Sequence, residues 1–269
     1  MSLYLDLTRE LNAGRLRAIL CSGQAVVLLR LAVASKDGDW ILREDQEALD
    51  RVLSVLEQHG ARYRFGAPLD LRWLRAGWSS HLQYQDGGVR VRTDFFTRPP
   101  RVPPADLARL WRDQEGRDPP FTPPRVLLEI KKTAREKDWP FVGELARLLL
   151  DPREQMLCSR SAHDLIELDA AHPGLARDLE RARPALAALR SGLEPLREAL
   201  DRERRAAMDE ADRRVRAYLS AAKELERAWP EVQAQTAGRS LGEAHAILVD
   251  WAERCLPILP PDLRRETNS

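Results

Sequence analysis

Hydrophobic and polar positions divide the chain into a first part of short, alternating segments and a second part with helical spacing throughout. Residues 4–13 read as a short helix, and RAILCSG (17–23) is the near-continuous apolar run of a strand buried on both faces. QAVVLLRLAV (24–33) predicts a buried helix that starts at once, with Ser22 and Gly23 at the turn from strand to helix. An extended segment runs from Asp37 into WILR (40–43). Between Glu44 and Gly60, Leu49, Val52, Leu53 and Leu56 recur at helical spacing, and Gly60 supplies the stop. ARYRFGA (61–67) reads as a strand, DLRWLRAG (70–77) as a short helix, and SSHLQYQ (79–85) and VRVRTDFF (89–96) as strands joined by the turn DGG (86–88). In the last strand Val89, Val91, Thr93 and Phe95 share one face, and Arg90, Arg92, Asp94 and Phe96 the other.

The proline-rich stretch 99–124, with a short helix at 105–113, is a boundary or wrapping loop. Everything beyond it reads as helical: 125–138 with a basic face, 141–150, 151–169, then Leu175, Leu179, Leu186, Leu189, Leu193, Leu196 and Leu200 at threes, fours and sevens. Ser191 and Gly192 mark a break, and Pro195 sits in the first turn of the next helix. The leucines predict a helical hairpin continuing to about Trp229, either folded on itself or offering a partner surface. A last helix follows at 241–255, and the tail from Pro257 is expected to fray. The divisions expected are 1–120 for an α/β core, 121–170 for a helical extension, and 171–269 for the hairpin and final helix.

Composition narrows this picture only slightly. With 269 residues, 43% hydrophobic and 32% charged, the chain can bury a substantial core. Its 43 basic and 42 acidic residues leave a net charge of +1, so wholesale electrostatic binding of nucleic acid is not expected, although local patches are. Cys21, Cys158 and Cys255 are widely spaced and lack a zinc pattern, which suits thiols in a reducing compartment. The first residues form neither a signal peptide nor a membrane span, so a cytoplasmic protein without membrane contact is the expectation.

The sharpest chemistry lies in SKDGDWIL (35–42). In a turn, Asp37 and Asp39 would be solvated and idle. On a strand both carboxylates point the same way and offer a divalent cation a site. A turn at Ser22-Gly23 leading into a helix also leaves amide donors free for a phosphate, and Asp94 adds a third carboxylate on a later strand.

Together, SGQA (22–25), SKDGD (35–39) and Asp94 resemble the polymerase-β-like nucleotidyltransferase superfamily. Its signature is a Gly-Gly or Gly-Ser turn, a helix, Asp-x-Asp on a strand, and a third acid further on. The subgroup most similar is the bacterial minimal nucleotidyltransferases that include AbiEii-type toxins; the resemblance covers roughly residues 15–150. The turn here is Ser-Gly, which departs from the family's order. The resemblance implies an α/β (α+β) fold, with a small mixed twisted sheet of the nucleotidyltransferase type followed by an all-helical C-terminal region. It implies that Asp37, Asp39 and Asp94 bind Mg²⁺ or Mn²⁺, and that Ser22 and Gly23 hold phosphates of a nucleoside triphosphate. A nucleoside monophosphate would then pass to an acceptor hydroxyl on RNA or protein. The subgroup also implies a toxin-like or defence role with an antitoxin-like protein partner. The alternative is a catalytically silent module of this fold that works by binding a protein partner.

Basic residues surround these positions. Between 62 and 101 there are eight arginines against three aspartates, either contacting phosphates, as Arg90 and Arg92 beside Asp94 would, or pairing with the acidic segment 44–57. The resemblance places KKTAREKD (131–138) over the nucleotide, with Lys131 or Lys132 as a phosphate contact. Trp73, Trp78 and Trp111 read as half-buried core or as base-stacking platforms. His81 reads as structural.

Overall fold

The computed structural model describes residues 3–266, which form two compact units, 3–122 with 214–266 and 123–213. The last helices are thus grouped with the sheet. The architecture is α+β, with a mixed five-stranded sheet and an all-helical C-terminal region.

The sheet unit opens with α1 (Leu3–Leu11), β1 (Ala18–Cys21), α2 (Ser22–Leu28), β2 (Asp37–Leu42) and α3 (Gln46–Gln58). It continues with β3 (Arg62–Tyr63), α4 (Leu71–Leu74), β4 (Ser80–Asp86), β5 (Val89–Phe96) and α5 (Pro104–Asp113). Strand order is β1-β2-β5-β4-β3; β2 and β5 run parallel and the other neighbours antiparallel. The segment 120–122 covers the β1 edge, with Leu20 donating to Pro120 and Thr122 to Leu20.

One sheet face makes the core. Leu20, Trp40, Leu42, Leu82, Val91 and Phe95 pack beneath Leu7 and Leu11 of α1 and Leu49, Val52 and Leu56 of α3. Trp40 stacks on Phe95 at 5.3 Å and donates its indole N–H to Thr8. The alternation in β5 is as expected, with Val91, Thr93 and Phe95 buried. α3 begins where Asp45 accepts from the Ala48 amide, a side-chain cap that satisfies one orphan donor.

Two sheet-unit expectations change. The apolar run 24–33 is helical only to Leu28: Arg30 takes a left-handed φ of +61°, and Val33 is fully exposed. The strand expected at 61–67 shrinks to two residues. Beyond Tyr63 the chain bends through Gly66 at φ +156°, where a Cβ would sit 2.6 Å from the His81 ring.

The second unit comprises α6 (Pro124–Lys131), α7 (Trp139–Arg147), α8 (Pro152–Cys158), α9 (Ala162–Ala171), α10 (Leu175–Leu179) and the 193–213 part of α11 (Leu193–Ala221). The helix expected over 125–138 breaks after Lys131. Asp138 is buried and gathers Lys131 at 3.2 Å, the Thr133 hydroxyl at 2.7 Å and Arg135 at 2.8 Å, and the chain loops to let them meet. Burial pushes the Asp138 carboxyl up, but these partners outweigh it and hold it below the usual carboxylate range. The helix expected over 151–169 breaks at Ser159–Ser161, where Ser161 caps α9. The leucines do not form one hairpin. Leu179, Leu186, Leu196 and Leu200 sit in a core with Met156 and Leu165, and Gly192 at φ +97° supplies the expected break.

The chain then returns to the sheet unit through α12 (Lys223–Thr236), α13 (Leu241–Cys255) and α14 (Pro261–Glu266). Of the tail expected to fray, 257–260 is tied down by the Trp78 indole donating to the Ile258 carbonyl, and α14 follows. Residues 267–269 lie outside the described residues. Among the described residues, no helix is long and apolar enough to cross a membrane.

Candidate functional site

The sheet face opposite the core carries the candidate chemistry in two cross-strand rows. In the first, Arg62, Gln83, Arg92 and Asp37 are successive partners across β3, β4, β5 and β2. In the second, His81, Asp94, Asp39 and Cys21 are partners across β4, β5, β2 and β1. Because residues paired in register point to the same face, Asp37, Asp39 and Asp94 share one surface, on the adjacent strands β2 and β5.

Gly38, between the paired acids, is dictated from the other face. A Cβ there would come within 2.4 Å of the Trp40 ring and 2.5 Å of the Tyr4 ring. The Tyr4 hydroxyl donates to the Lys36 carbonyl at 2.6 Å, fixing the approach to β2. Burial, with the negative field of Asp37, Asp39 and Asp94 adding to it, raises the Tyr4 hydroxyl above its ordinary pKa. Gln24 of α2 donates to the carbonyls of Ser35 and Asp37, so the turn after β1 is held against the start of β2.

Ser22 and Gly23 open α2 as expected. Ser22 has a left-handed φ of +52°, and no side chain caps the helix. Gly23 permits close approach, since a Cβ would lie 2.2 Å from the Ser35 hydroxyl oxygen. At seven residues α2 is too short to add much dipole to an anion site.

The three acids differ in their surroundings. Oδ1 of Asp37 is buried without a hydrogen-bond partner; Arg92 Nη1, 3.8 Å away, neutralises it without bonding. Asp94 Oδ1 lies 2.7 Å from His81 Nδ1 and 3.5 Å from Arg64. Among the described residues, no group of three His, Cys, Asp or Glu side chains is disposed to hold a metal ion. Hard carboxylate oxygens on one face, one of them buried and unbonded, suit a divalent cation in donor chemistry. Asp37 and Asp39 are the pair that fits it, while Asp94 is held by His81 and Arg64.

Beside Asp37 opens a groove of about 880 Å³, whose lining includes Tyr4, Gln24, Lys36, Arg90 and Arg92. Arg90 and Lys36 have no acidic partner among the described residues, so this wall is cationic. The other arginines of 62–101 divide. Arg75 and Arg98 pair with Glu44, and Arg72 with Asp70 and Glu253, which is the surface ion-pair reading. Arg64 and Arg92 lie beside Asp94 and Asp37, Arg90 lines the groove with Asp37, and Arg62 stands at the far end of the first row.

Lys131 and Lys132 belong to the other unit and have structural partners there. Lys131 is buried against Asp138, and Lys132 bonds Glu129 at 2.9 Å, so the phosphate role expected of them has no support. Trp73 and Trp78 are core residues that donate to the carbonyls of Leu256 and Ile258. Trp111 lies beneath Arg43 at 4.7 Å. His81, read as structural from the sequence, and Arg64, read only as one of a basic cluster, are the residues that contact Asp94. The register of the 79–96 hairpin, which sets His81 opposite Asp94, was the signal for the first.

Comparison with known protein families, with curated proteins and with solved structures returns no match.

Proposed function

We propose that this chain is a metal-dependent nucleotidyltransferase in which an acceptor hydroxyl attacks the α-phosphorus of a nucleoside triphosphate, taking up the nucleoside monophosphate as the bond to the β-phosphate breaks and pyrophosphate leaves. The observation that carries the reading is the parallel register of Asp39 with Asp94, with Asp37 on the same face and its Oδ1 buried and unbonded. Carboxylates gathered on one face repel one another, and a cation held by Asp37 and Asp39 would offset that repulsion.

Asp37 and Asp39 would hold the Mg²⁺ or Mn²⁺, which when bound neutralises the triphosphate and favours the ionised acceptor hydroxyl. Lys36, Arg90 and Arg92 line the groove beside Asp37 and would bind the phosphate oxygens. Ser22 and Gly23 would add backbone donors at the start of α2. His81 and Arg64 fix the orientation of Asp94 through Oδ1, leaving Oδ2 to take the acceptor's proton. The acceptor belongs to RNA or protein in this reading. A toxin-like or defence role with an antitoxin-like partner rests on the resemblance of the motifs alone.

A second reading is a module of the same architecture that does not turn over and acts through a protein partner. It is favoured by one observation, the engagement of Asp94 by His81 and Arg64. A melting experiment with millimolar Mg²⁺ and each nucleoside triphosphate separates the two. The enzyme gains melting temperature only with both together, since a ligand that binds only the folded state stabilises it. An unchanged curve supports the second reading.

A further inference from the structure

A second cavity, of about 570 Å³, opens between β3 and the α12–α13 pair, within the sheet unit. That volume is typical of a small-ligand site. Its charged lining residues are Arg62, Arg64 and Arg239, and no acidic side chain lines it. Arg62 has no acidic partner among the described residues. Arg239 meets Glu243 at 3.8 Å on the exposed side of α13, a weak contact. Arg64 is the informative one. Its Nη2 reaches Asp94 at 3.5 Å, while its Nη1 is buried without a hydrogen-bond partner. A buried guanidinium nitrogen left unbonded is costly, so Arg64 lines the cavity with its hydrogen-bonding capacity only partly used.

The remaining lining supplies what a planar ring needs. Trp229 is half-buried and held edge-to-face by Phe65 at 5.5 Å, and Gln83 and Gln233 offer amide groups that can both donate and accept. Arginines for a phosphate, an indole for a π-face and amides for a polar ring edge together describe a nucleotide.

We propose that this cavity is a nucleotide-binding site separate from the groove at Asp37. Arg62, Arg64 and Arg239 hold the phosphate, and Trp229 contacts the base. Its contact with Asp94 through Arg64 makes it the place for the terminal nucleotide of a nucleic-acid acceptor; that assignment rests on the transferase reading, whereas the binding itself does not.

The test is calorimetric titration at low salt, without metal, with inorganic phosphate and with each nucleoside 5′-monophosphate. The proteins are the wild type, Arg62→Ala/Arg239→Ala, Trp229→Leu and Arg90→Ala, each checked for an unchanged melting temperature; Arg62→Glu replaces the double variant if that one melts early. The wild type should bind at least one nucleotide saturably and more tightly than phosphate. The arginine double variant should weaken both by tenfold or more, because phosphate contacts dominate such affinity. Trp229→Leu should weaken only the nucleotides, and Arg90→Ala, in the groove beside Asp37, should leave this metal-free binding intact. No saturable binding to wild type, equal affinity for phosphate and nucleotides, or binding indifferent to the arginines would overturn the proposal. Loss in Arg90→Ala would also overturn it, by placing the ligand in the other groove. Retained binding here with no nucleotidyl transfer would instead overturn only the transferase reading.

Discussion

Asp39 on β2 and Asp94 on β5 stand directly opposite each other in a parallel ladder, two carboxylates on one face of a sheet. Like charges so placed repel each other, by about 0.2–1 kcal/mol where neighbouring groups do not offset it. Asp39→Asn should therefore raise the denaturant midpoint of the metal-free protein by about that amount. It should also abolish the stabilisation by Mg²⁺ together with a nucleoside triphosphate. A lower midpoint would mean that the Asp39 charge serves the fold.

Gly38 tests why the motif is Asp-Gly-Asp. Its α-hydrogens face the rings of Tyr4 and Trp40, which a Cβ would meet at 2.5 and 2.4 Å. Gly38→Ala should cost about 1–3 kcal/mol, as overpacking of a filled core does. Urea unfolding followed by tryptophan fluorescence measures it, and an unchanged midpoint would show that the rings yield freely.

His245 makes the sheet unit sensitive to mild acid. Its Nδ1 lies 2.8 Å from the Tyr63 hydroxyl, and burial raises that hydroxyl well above its ordinary pKa, so the tyrosine stays protonated. Burial also lowers the His245 pKa below its ordinary 6.5. On acidification the unfolded chain then takes up the proton before the folded one. This contribution to stability is present above about pH 6.5 and is lost as the pH falls below it. The unfolding midpoint should drop between pH 7.5 and 5.5 in the wild type and drop less in His245→Gln. Equal drops would remove His245 as the cause.

Much of the sheet was legible because period-two patterns and a DGG turn are local signals. The 79–96 hairpin, the face-sharing of Arg90, Arg92 and Asp94, and the helix from 44 to 60 all follow from spacing within one segment. What failed depended on contacts between segments. The apolar run 24–33 reads as a helix, yet Arg30 turns the chain out and leaves Val33 exposed. KKTAREKD reads as a basic helix, but buried Asp138 draws Lys131, Thr133 and Arg135 inward, a rearrangement that charge counting cannot foresee. Asp37, Asp39 and Asp94 were singled out by their spacing, and the register sets them on one face. The pairing of Asp94 with His81 and Arg64 needed the register of three strands.

That pairing makes Asp94 decisive, because in the proposed reaction it would serve the acceptor side while Asp37 and Asp39 would hold the metal and the triphosphate. The direct measurement is to incubate wild type, Asp39→Asn and Asp94→Asn with each α-³²P-labelled nucleoside triphosphate, Mg²⁺, and total RNA or cell extract, and to follow label into an acceptor alongside nucleotide binding. The account predicts transfer by the wild type, loss of binding and transfer in Asp39→Asn, and retained binding with lost transfer in Asp94→Asn. Transfer by Asp94→Asn equal to the wild type, or no transfer by the wild type with any nucleotide and acceptor, would contradict it.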